Sequence, residues 1–261
     1  YRSGTVLAVR WTIGTCDWTR GRWRWSPGDE GPQHLWTIES YAMSPPLEVK
    51  PHLLTVGERD LNVAVLWPNG HELGSVKLPV IMNPYGGPHA QRVYEVGRAY
   101  SEAQWIADQG FAVIIADGRG SPGRGPAWER TINGDLATFP LQDQVDALHG
   151  VARRWPADID IDRVGITGWS FGGYLAALAV LRRPDVFHAA VAGAPVTEWR
   201  LYDSAYTERY LGDPMKTAEN YDASSLLPLA PNLERPLMII HGFADDNVVV
   251  AHSVQLSAAL T

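Results

Sequence analysis

The residues best equipped for chemistry in this chain lie in Ile166-Thr-Gly-Trp-Ser-Phe-Gly-Gly-Tyr174. Within that stretch, Gly168-Trp169-Ser170-Phe171-Gly172 matches the pattern G-x-S-x-G. A strand-like run, Val164 to Thr167, leads into it, and a helical pattern, Gly172 to about Arg182, leaves it. Strand, sharp turn and helix in that order are what a nucleophile elbow requires. A side chain at Gly168 or Gly172 would collide with neighbouring backbone at such a turn, and glycine removes the collision. Ser170 is then free to take strained dihedrals and lift its hydroxyl out of the sheet. There it faces the positive end of the helix, where developing negative charge is stabilised.

A serine hydroxyl is a weak nucleophile at neutral pH. It needs a base, usually histidine, oriented by a carboxylate. On a strand–elbow–helix scaffold the chain order is Ser, then Asp, then His. Met238-Ile-Ile-His-Gly-Phe-Ala-Asp-Asp-Asn-Val248 reads as a strand followed by a polar turn. Asp245 stands just past the strand end, where an orienting acid belongs. Asp246 competes, but adjacent side chains point different ways, and Asp245 is favoured. The base is harder to place. His252 follows Asp245 by seven residues, in the next helix, too near in sequence to swing back to Ser170. His241 sits at the strand end and reads as structural. The expectation is therefore a base beyond Thr261, and a sequence that is a fragment.

The elements that must position these groups follow a repeating order. From about Leu53 the pattern is α/β. Leu53 to Val56 and Leu61 to Trp67 read as a hairpin, and Lys77 to Met82 as a buried strand. Ser101 to Gln109 reads as a helix ending at Gly110. Phe111 to Ala116 is a continuous apolar run, as expected of a strand covered on both faces. Leu141, Val145, Leu148 and Ala152 recur at helical spacing, predicting an amphipathic helix over about Phe139 to Trp155. After the elbow come a strand His188 to Ala192, a Trp/Tyr-rich segment, a strand Leu237 to His241 and a helix His252 to Leu260. Strands alternating with helices imply a mostly parallel, doubly wound sheet, with catalytic groups at the carboxyl ends of the strands. Asp117-Gly-Arg-Gly-Ser-Pro-Gly-Arg-Gly125 is glycine-rich but lacks the Gly-Lys-Ser/Thr ending of a phosphate loop, which argues against nucleotide binding.

Residues 1–48 have a different texture. Thr5 to Ile13, Arg20 to Trp25 and His34 to Glu39 alternate like short antiparallel strands, with Ser26 to Pro32 as a turn and Met43-Ser-Pro-Pro46 as a linker. The Arg/Trp alternation over Arg20 to Trp25 fits a half-buried strand better than a stacking surface for single-stranded nucleic acid. The whole chain has 261 residues, 29 acidic against 22 basic, and a net charge of −7, which argues against a polyanionic partner. A single cysteine, Cys16, excludes an internal disulfide and a thiol cluster for zinc. No signal peptide and no apolar run long enough to span a membrane is apparent, so a cytoplasmic location is the default expectation. No metal or organic cofactor is implied.

Three ordered motifs carry a family resemblance. Gly168-Trp-Ser-Phe-Gly-Gly-Tyr174, then Ala194-Pro-Val-Thr-Glu-Trp199 with Tyr202 to Tyr210, then His241-Gly-Phe-Ala-Asp-Asp-Asn-Val248 resemble the prolyl oligopeptidase family of serine peptidases, in particular its dipeptidyl peptidase IV branch. The resemblance implies an α/β-hydrolase domain over residues 49–261, its C-terminal part missing. It also implies that residues 1–48 are the last strands of a β-propeller, so that the chain is truncated at both ends. By the same resemblance Ser170 is the nucleophile and Asp245 the acid. Tyr85, in Asn83-Pro-Tyr-Gly-Gly87, and the Phe171 amide form the oxyanion hole. Val196, Trp199, Tyr202, Tyr206 and Val248 line the pocket for the residue before the cleaved bond, and Asn247 bonds a substrate carbonyl. Flat aromatic walls suit a proline ring, which has no amide N–H to satisfy. Arg119 also matches the family pattern, with a structural loop role equally open. The implied activity is cleavage of peptides after proline or alanine near the amino terminus, with the peptide as partner and a homodimer among the implied states. An acylaminoacyl peptidase or esterase on the same fold, and a non-catalytic fragment lacking the base, are the alternatives.

Overall fold

A computed structural model describes residues 4–10, 19–25, 30, 33–38 and 47–261. The first three strands, β1 (Gly4–Arg10), β2 (Thr19–Trp25) and β3 (Gln33–Ile38), form an antiparallel sheet in sequential order. Cys16, the Met43 to Pro46 linker and the side chains behind the Arg/Trp alternation lie outside the described residues.

A second, seven-stranded sheet organises the remainder. Its hairpin is β4 (His52–Val56) and β5 (Leu61–Leu66), followed by β6 (Leu78–Met82) and, beyond helix α1 (Ser101–Ala107), by β7 (Ala112–Asp117). Two helices come next, α2 (Pro126–Arg130) and α3 (Thr138–Arg154), then β8 (Ile159–Trp169) and α4 (Phe171–Arg182). The chain goes on through β9 (Ala189–Gly193), α5 (Ser204–Leu211), α6 (Ala218–Ser224), β10 (Leu237–Ile240) and α7 (Ala251–Leu260). The strand order is β10-β9-β8-β6-β7-β5-β4. All neighbours from β10 to β7 run parallel, and β5 and β4 are antiparallel additions at one edge. This is the α/β-hydrolase arrangement of a mostly parallel sheet with crossover helices.

Side-chain alternation shows how the sheet is covered. Val63 and Val65 of β5 and Ala112, Ile114 and Ala116 of β7 face the larger apolar cluster with α3 and α4. Their neighbours Ala64, Leu66, Val113 and Ile115 face a smaller cluster, with Tyr100, Ala103 and Ala107 around α1. Successive residues of a strand point to opposite faces, so both halves of these runs must be apolar. Each fully buried large aliphatic side chain contributes roughly 1.5–3 kcal/mol. Helix α4 is buried from Phe171 to Leu181. That explains why its sequence is apolar on every side, whereas α3 keeps a polar face.

Two differences from the sequence reading have physical causes. Strand β8 begins five residues before Val164, because Ile159 and Asp160 pair with Leu78 and Pro79 before the register shifts. The exposed Ile161 to Arg163 segment interrupts the apolar pattern and hides that first pairing from periodicity. Helices α2, α5 and α6 were not anticipated. All three are short, five to eight residues, too short to carry an apolar repeat, and α5 is started by its own cap, Asp203 accepting from the Tyr206 amide.

The glycine-rich loop after β7 is held by a buried carboxylate. Asp143 of α3 is fully buried and accepts from the Arg119 amide at 2.6 Å and from its guanidinium at 2.7 Å, with Arg59 at 3.2 Å. Arg119 therefore anchors its loop. Removing one member of a buried pair strands the other without compensation. Asp143→Ala is expected to lower unfolding free energy by about 3 kcal/mol, read as a lower denaturant midpoint in chemical unfolding.

Candidate active site

The turn between β8 and α4 brings three backbone segments into direct contact. A Cβ added at Gly168 would stand 2.6 Å from the Gly172 carbonyl. One at Gly172 would overlap the Pro84 carbonyl oxygen, and one at Gly173 the Gly193 carbonyl oxygen. No side chain fits at these places. Ser170, at the apex, has φ 57° and ψ −118°, a strained conformation for a residue with a Cβ. It is held from both sides: its amide donates to the Gly193 carbonyl at 2.9 Å, and its carbonyl accepts from the Tyr174 amide at 2.9 Å. Phe171 is the first residue of α4. Its amide is among the first-turn donors that have no partner within a helix and that favour negative charge.

Tyr85 arrives from the end of β6. The Tyr85 and Phe171 rings lie 6.0 Å apart, and Gly87 is pressed against the Phe171 ring, where no Cβ would fit. Burial raises the Tyr85 pKa above its ordinary value, and the Tyr202 phenol raises it further. Hydrogen bonding with Ser170 and Tyr206 acts the other way. The Tyr85 hydroxyl therefore sits beside the Ser170 side chain as a neutral phenol, able to donate.

An aromatic wall continues from this point. The Trp199 and Tyr206 rings are parallel within 7° at 6.1 Å, and Tyr202 meets Tyr206 edge-on at 5.2 Å. Trp199 also approaches Phe171 at 5.7 Å. Val196, Trp199 and Val248 are buried, and Tyr202 and Tyr206 are half-buried. The Tyr202 hydroxyl donates to the exposed Asn247 amide oxygen at 3.4 Å. Two neighbours were missed in the sequence, Tyr210 and His89. Tyr210 packs against Tyr206 at 5.1 Å and hydrogen-bonds through its hydroxyl to His89 Nε2. The available signal was spacing: Tyr206 and Tyr210 lie four apart and share one face of α5, and Tyr202 precedes that helix by two residues. His89, whose ring lies tilted against Tyr206 at 5.3 Å, carried no sequence signal.

Asp245 lies in the turn after β10. Its Oδ1 accepts from the amides of Asn247 at 3.1 Å and Val248 at 2.9 Å, which fixes the carboxylate within its own turn. Its Oδ2 stands 3.7 Å from His241 Nε2. Asp246 is exposed. Neither nearby histidine is directed at Ser170. His241 is engaged at both nitrogens, with the Ser253 hydroxyl and the Val248 carbonyl, each at 2.6 Å. His252 accepts at Nδ1 from the Thr197 amide at 3.1 Å and is fully buried. Among the described residues no group of histidine, cysteine and carboxylate side chains is arranged to hold a metal, and no helix is long and apolar enough to cross a membrane.

The assembled parts are a strained serine, a tyrosine hydroxyl beside it, a helix-first amide next to it in sequence, a carboxylate at the end of β10 and an apolar aromatic wall. Such a set can stabilise an oxyanion on an acyl group carried by Ser170.

Comparison with known proteins is consistent with that chemistry. Residues 98–261 match the prolyl oligopeptidase family, peptidase S9. Human dipeptidyl peptidase 8 is 41% identical over 182 residues, covering 68% of this chain and 20% of that protein. Dipeptidyl peptidase 4 of Sus scrofa is 36% identical over 189 residues, covering 71% of this chain and 24% of that protein. The crystal structure of Porphyromonas gingivalis dipeptidyl peptidase 4 superposes with a TM-score of 0.82 at 28% identity, over 99% of this chain and 38% of that one. The structure of a putative dipeptidyl aminopeptidase IV from Bacteroides ovatus gives a TM-score of 0.79 at 29% identity, over 93% of this chain and 34% of that one. The chain thus spans a fifth to a quarter of the length of these curated relatives.

His252 gives the site a measurable acid sensitivity. Burial, with the nearby His241 adding to it, lowers its pKa from 6.5 to about 4. The unfolded chain then binds a proton that the folded chain refuses. Stability is fully present above pH 6.5 and is lost as pH falls from 6.5 towards 4, by up to about 3 kcal/mol. His252→Asn keeps an acceptor for the Thr197 amide and removes the titration. Thermal midpoints between pH 7 and 4 should fall less steeply for this variant than for the native protein.

Proposed function

This chain belongs to the prolyl oligopeptidase family, and on that premise we propose that it is the catalytic portion of a dipeptidyl-peptidase-like serine peptidase, cleaving after proline or alanine near the amino terminus of peptides. The observation that carries the reading is the Tyr85 hydroxyl beside Ser170, at the mouth of the wall formed by Trp199, Tyr202 and Tyr206. A donor placed where an oxyanion would form, next to a flat apolar slot, suits acyl transfer at a proline or alanine residue.

In this mechanism Ser170 Oγ attacks the scissile carbonyl as its proton passes to the base. The Tyr85 phenol and the Phe171 amide hold the oxyanion of the tetrahedral intermediate. Collapse breaks the C–N bond, the base returns the proton to the departing amine, and an acyl-enzyme remains on Ser170. Water, activated by the same base, then releases the acid. Val196 and Val248 close the pocket behind the aromatic rings, and the Asn247 amide bonds a substrate carbonyl. Asp245 orients the base through Oδ2, the oxygen not occupied by its own turn. Because His241 is engaged at both nitrogens and His252 is fully buried with Nδ1 held by the Thr197 amide, we place the base outside residues 1–261. We also assign the antiparallel β1–β3 sheet to the end of a propeller domain. The net charge of −7 favours a peptide over a nucleic acid as partner.

The test is hydrolysis of a chromogenic Ala-Pro amide by the full-length protein. Ser170→Ala is expected to lower kcat by about 10⁴-fold or more, and Tyr85→Phe by about 10²–10³-fold. Turnover retained in Ser170→Ala would sink the reading. Blocking the substrate's amino group should abolish cleavage, whereas faster cleavage of the blocked form would favour an acylaminoacyl peptidase.

A further inference from the structure

We propose that Asn83, Arg92 and Asp117 form a brace that sets the position of the Tyr85 hydroxyl, which makes Arg92 a positioning residue for the oxyanion pocket. The inference rests on the role given to Tyr85 above. The last backbone tie before Tyr85 is the Asn83 amide donating to the Ile114 carbonyl at 2.8 Å. Apart from a tight turn at Pro88–His89, residues 84–91 make no backbone-to-backbone hydrogen bond to other described segments. A loop without such bonds is held by packing and side chains, or it moves.

The structure shows what holds this one. Asp117, the last residue of β7, is 3% exposed and accepts from two successive amides at the far end of the loop. Both of its oxygens lie 3.0 Å from the Arg92 amide, and Oδ2 lies 2.8 Å from the Val93 amide. Among the described residues the Arg92 guanidinium pairs with no carboxylate. Its Nη2 reaches across the loop and donates to the Asn83 side-chain oxygen at 3.0 Å. Asn83, itself buried, donates in turn to the Thr167 carbonyl in β8, at 3.4 Å. The two ends of the Tyr85 loop are therefore tied to each other and to the two strands flanking β6.

Between the ties, contact with the elbow leaves little slack. Pro84 lies against Gly172, and Gly86 against Leu175 and Gln144. At its tip, His89 has φ 72° and is held by the Tyr210 hydroxyl. A shift of the loop base would move the phenol relative to Ser170. Oxyanion donors act only over a few tenths of an ångström, so the effect belongs in the chemical step rather than in binding.

The experiment is a double-mutant cycle in the full-length protein on the Ala-Pro amide. Rates are expressed per Ser170 titrated with a fluorophosphonate, so that a misfolded fraction does not count. Arg92→Ala is expected to lower kcat about 10–100-fold with KM changed less than about threefold. Arg92→Lys should recover part of the loss, because an ammonium still donates to Asn83. In a Tyr85→Phe background, Arg92→Ala should cost less than about twofold more, since the group it positions is already gone. Loss of the same factor in both backgrounds, or native kcat in Arg92→Ala, would overturn the brace while leaving the peptidase reading intact. Native kcat in Tyr85→Phe, or absence of hydrolysis by the native protein, would overturn the oxyanion assignment, and the brace with it.

Discussion

Backbone-on-backbone contact at the elbow is the constraint on which the rest of the structure depends. Gly168 lies on Gly172, Gly172 on Pro84, and Gly173 on Gly193, with no room for a Cβ at any of the three. These contacts join β6, β8, β9 and α4 at the carboxyl ends of the parallel strands. They force the turn at Ser170 to be tight enough that its backbone enters the left-handed region. They also bring the loop after β6 beside the serine, where the Tyr85 and Ser170 side chains interact. The scaffold tolerates the strain because α4 is buried from Phe171 to Leu181 against the sheet.

From that constraint the electrostatics follow. With Phe171 and Tyr174 anchored under the elbow, Trp199, Tyr202 and Tyr206 stack outward as a continuous aromatic surface. Burial raises the pKa of Tyr85 and of Tyr206 and keeps both phenols protonated. A neutral phenol can donate a hydrogen bond to an oxyanion, and in a water-poor site that bond is stronger than in solvent. The same burial acts in the opposite sense on His252, which is kept neutral and is spent on holding the Thr197 amide. One physical cause thus readies the tyrosines as donors and withdraws that histidine from acid–base work.

Buried carboxylates do the mechanical work around the site. Asp143 ties the glycine-rich loop through Arg119, and Asp117 ties the Tyr85 loop through two amides. The two differ in kind. Asp143 has guanidinium partners that offset its desolvation. Asp117 relies on amides, and burial leaves its pKa raised. Asp117 ends β7 where the strand gives way to a loop, and Asp143 reaches that same loop from the middle of α3.

The sequence by itself determined the elements and the chemistry that depend on local rules. G-x-S-x-G between a strand and an apolar helix specified the elbow, because only glycine survives the contacts made there. The continuous apolar run after Phe111 specified a strand covered on both faces. The sequence also put Asp245 in a polar turn just after an apolar strand, which is where the structure has it, and His252 was set aside on chain distance alone. What only the tertiary structure decided is whatever arises between segments remote in sequence. It placed the Tyr85 phenol against Ser170 and brought His89 to Tyr210 across 121 positions. It also selected the anchoring role for Arg119 and closed Arg92 onto Asn83. No periodicity encodes these pairings. They are side-chain meetings created when β6, β7 and β8 align, and their energies come from burial and hydrogen-bond geometry that exist only once the sheet has formed.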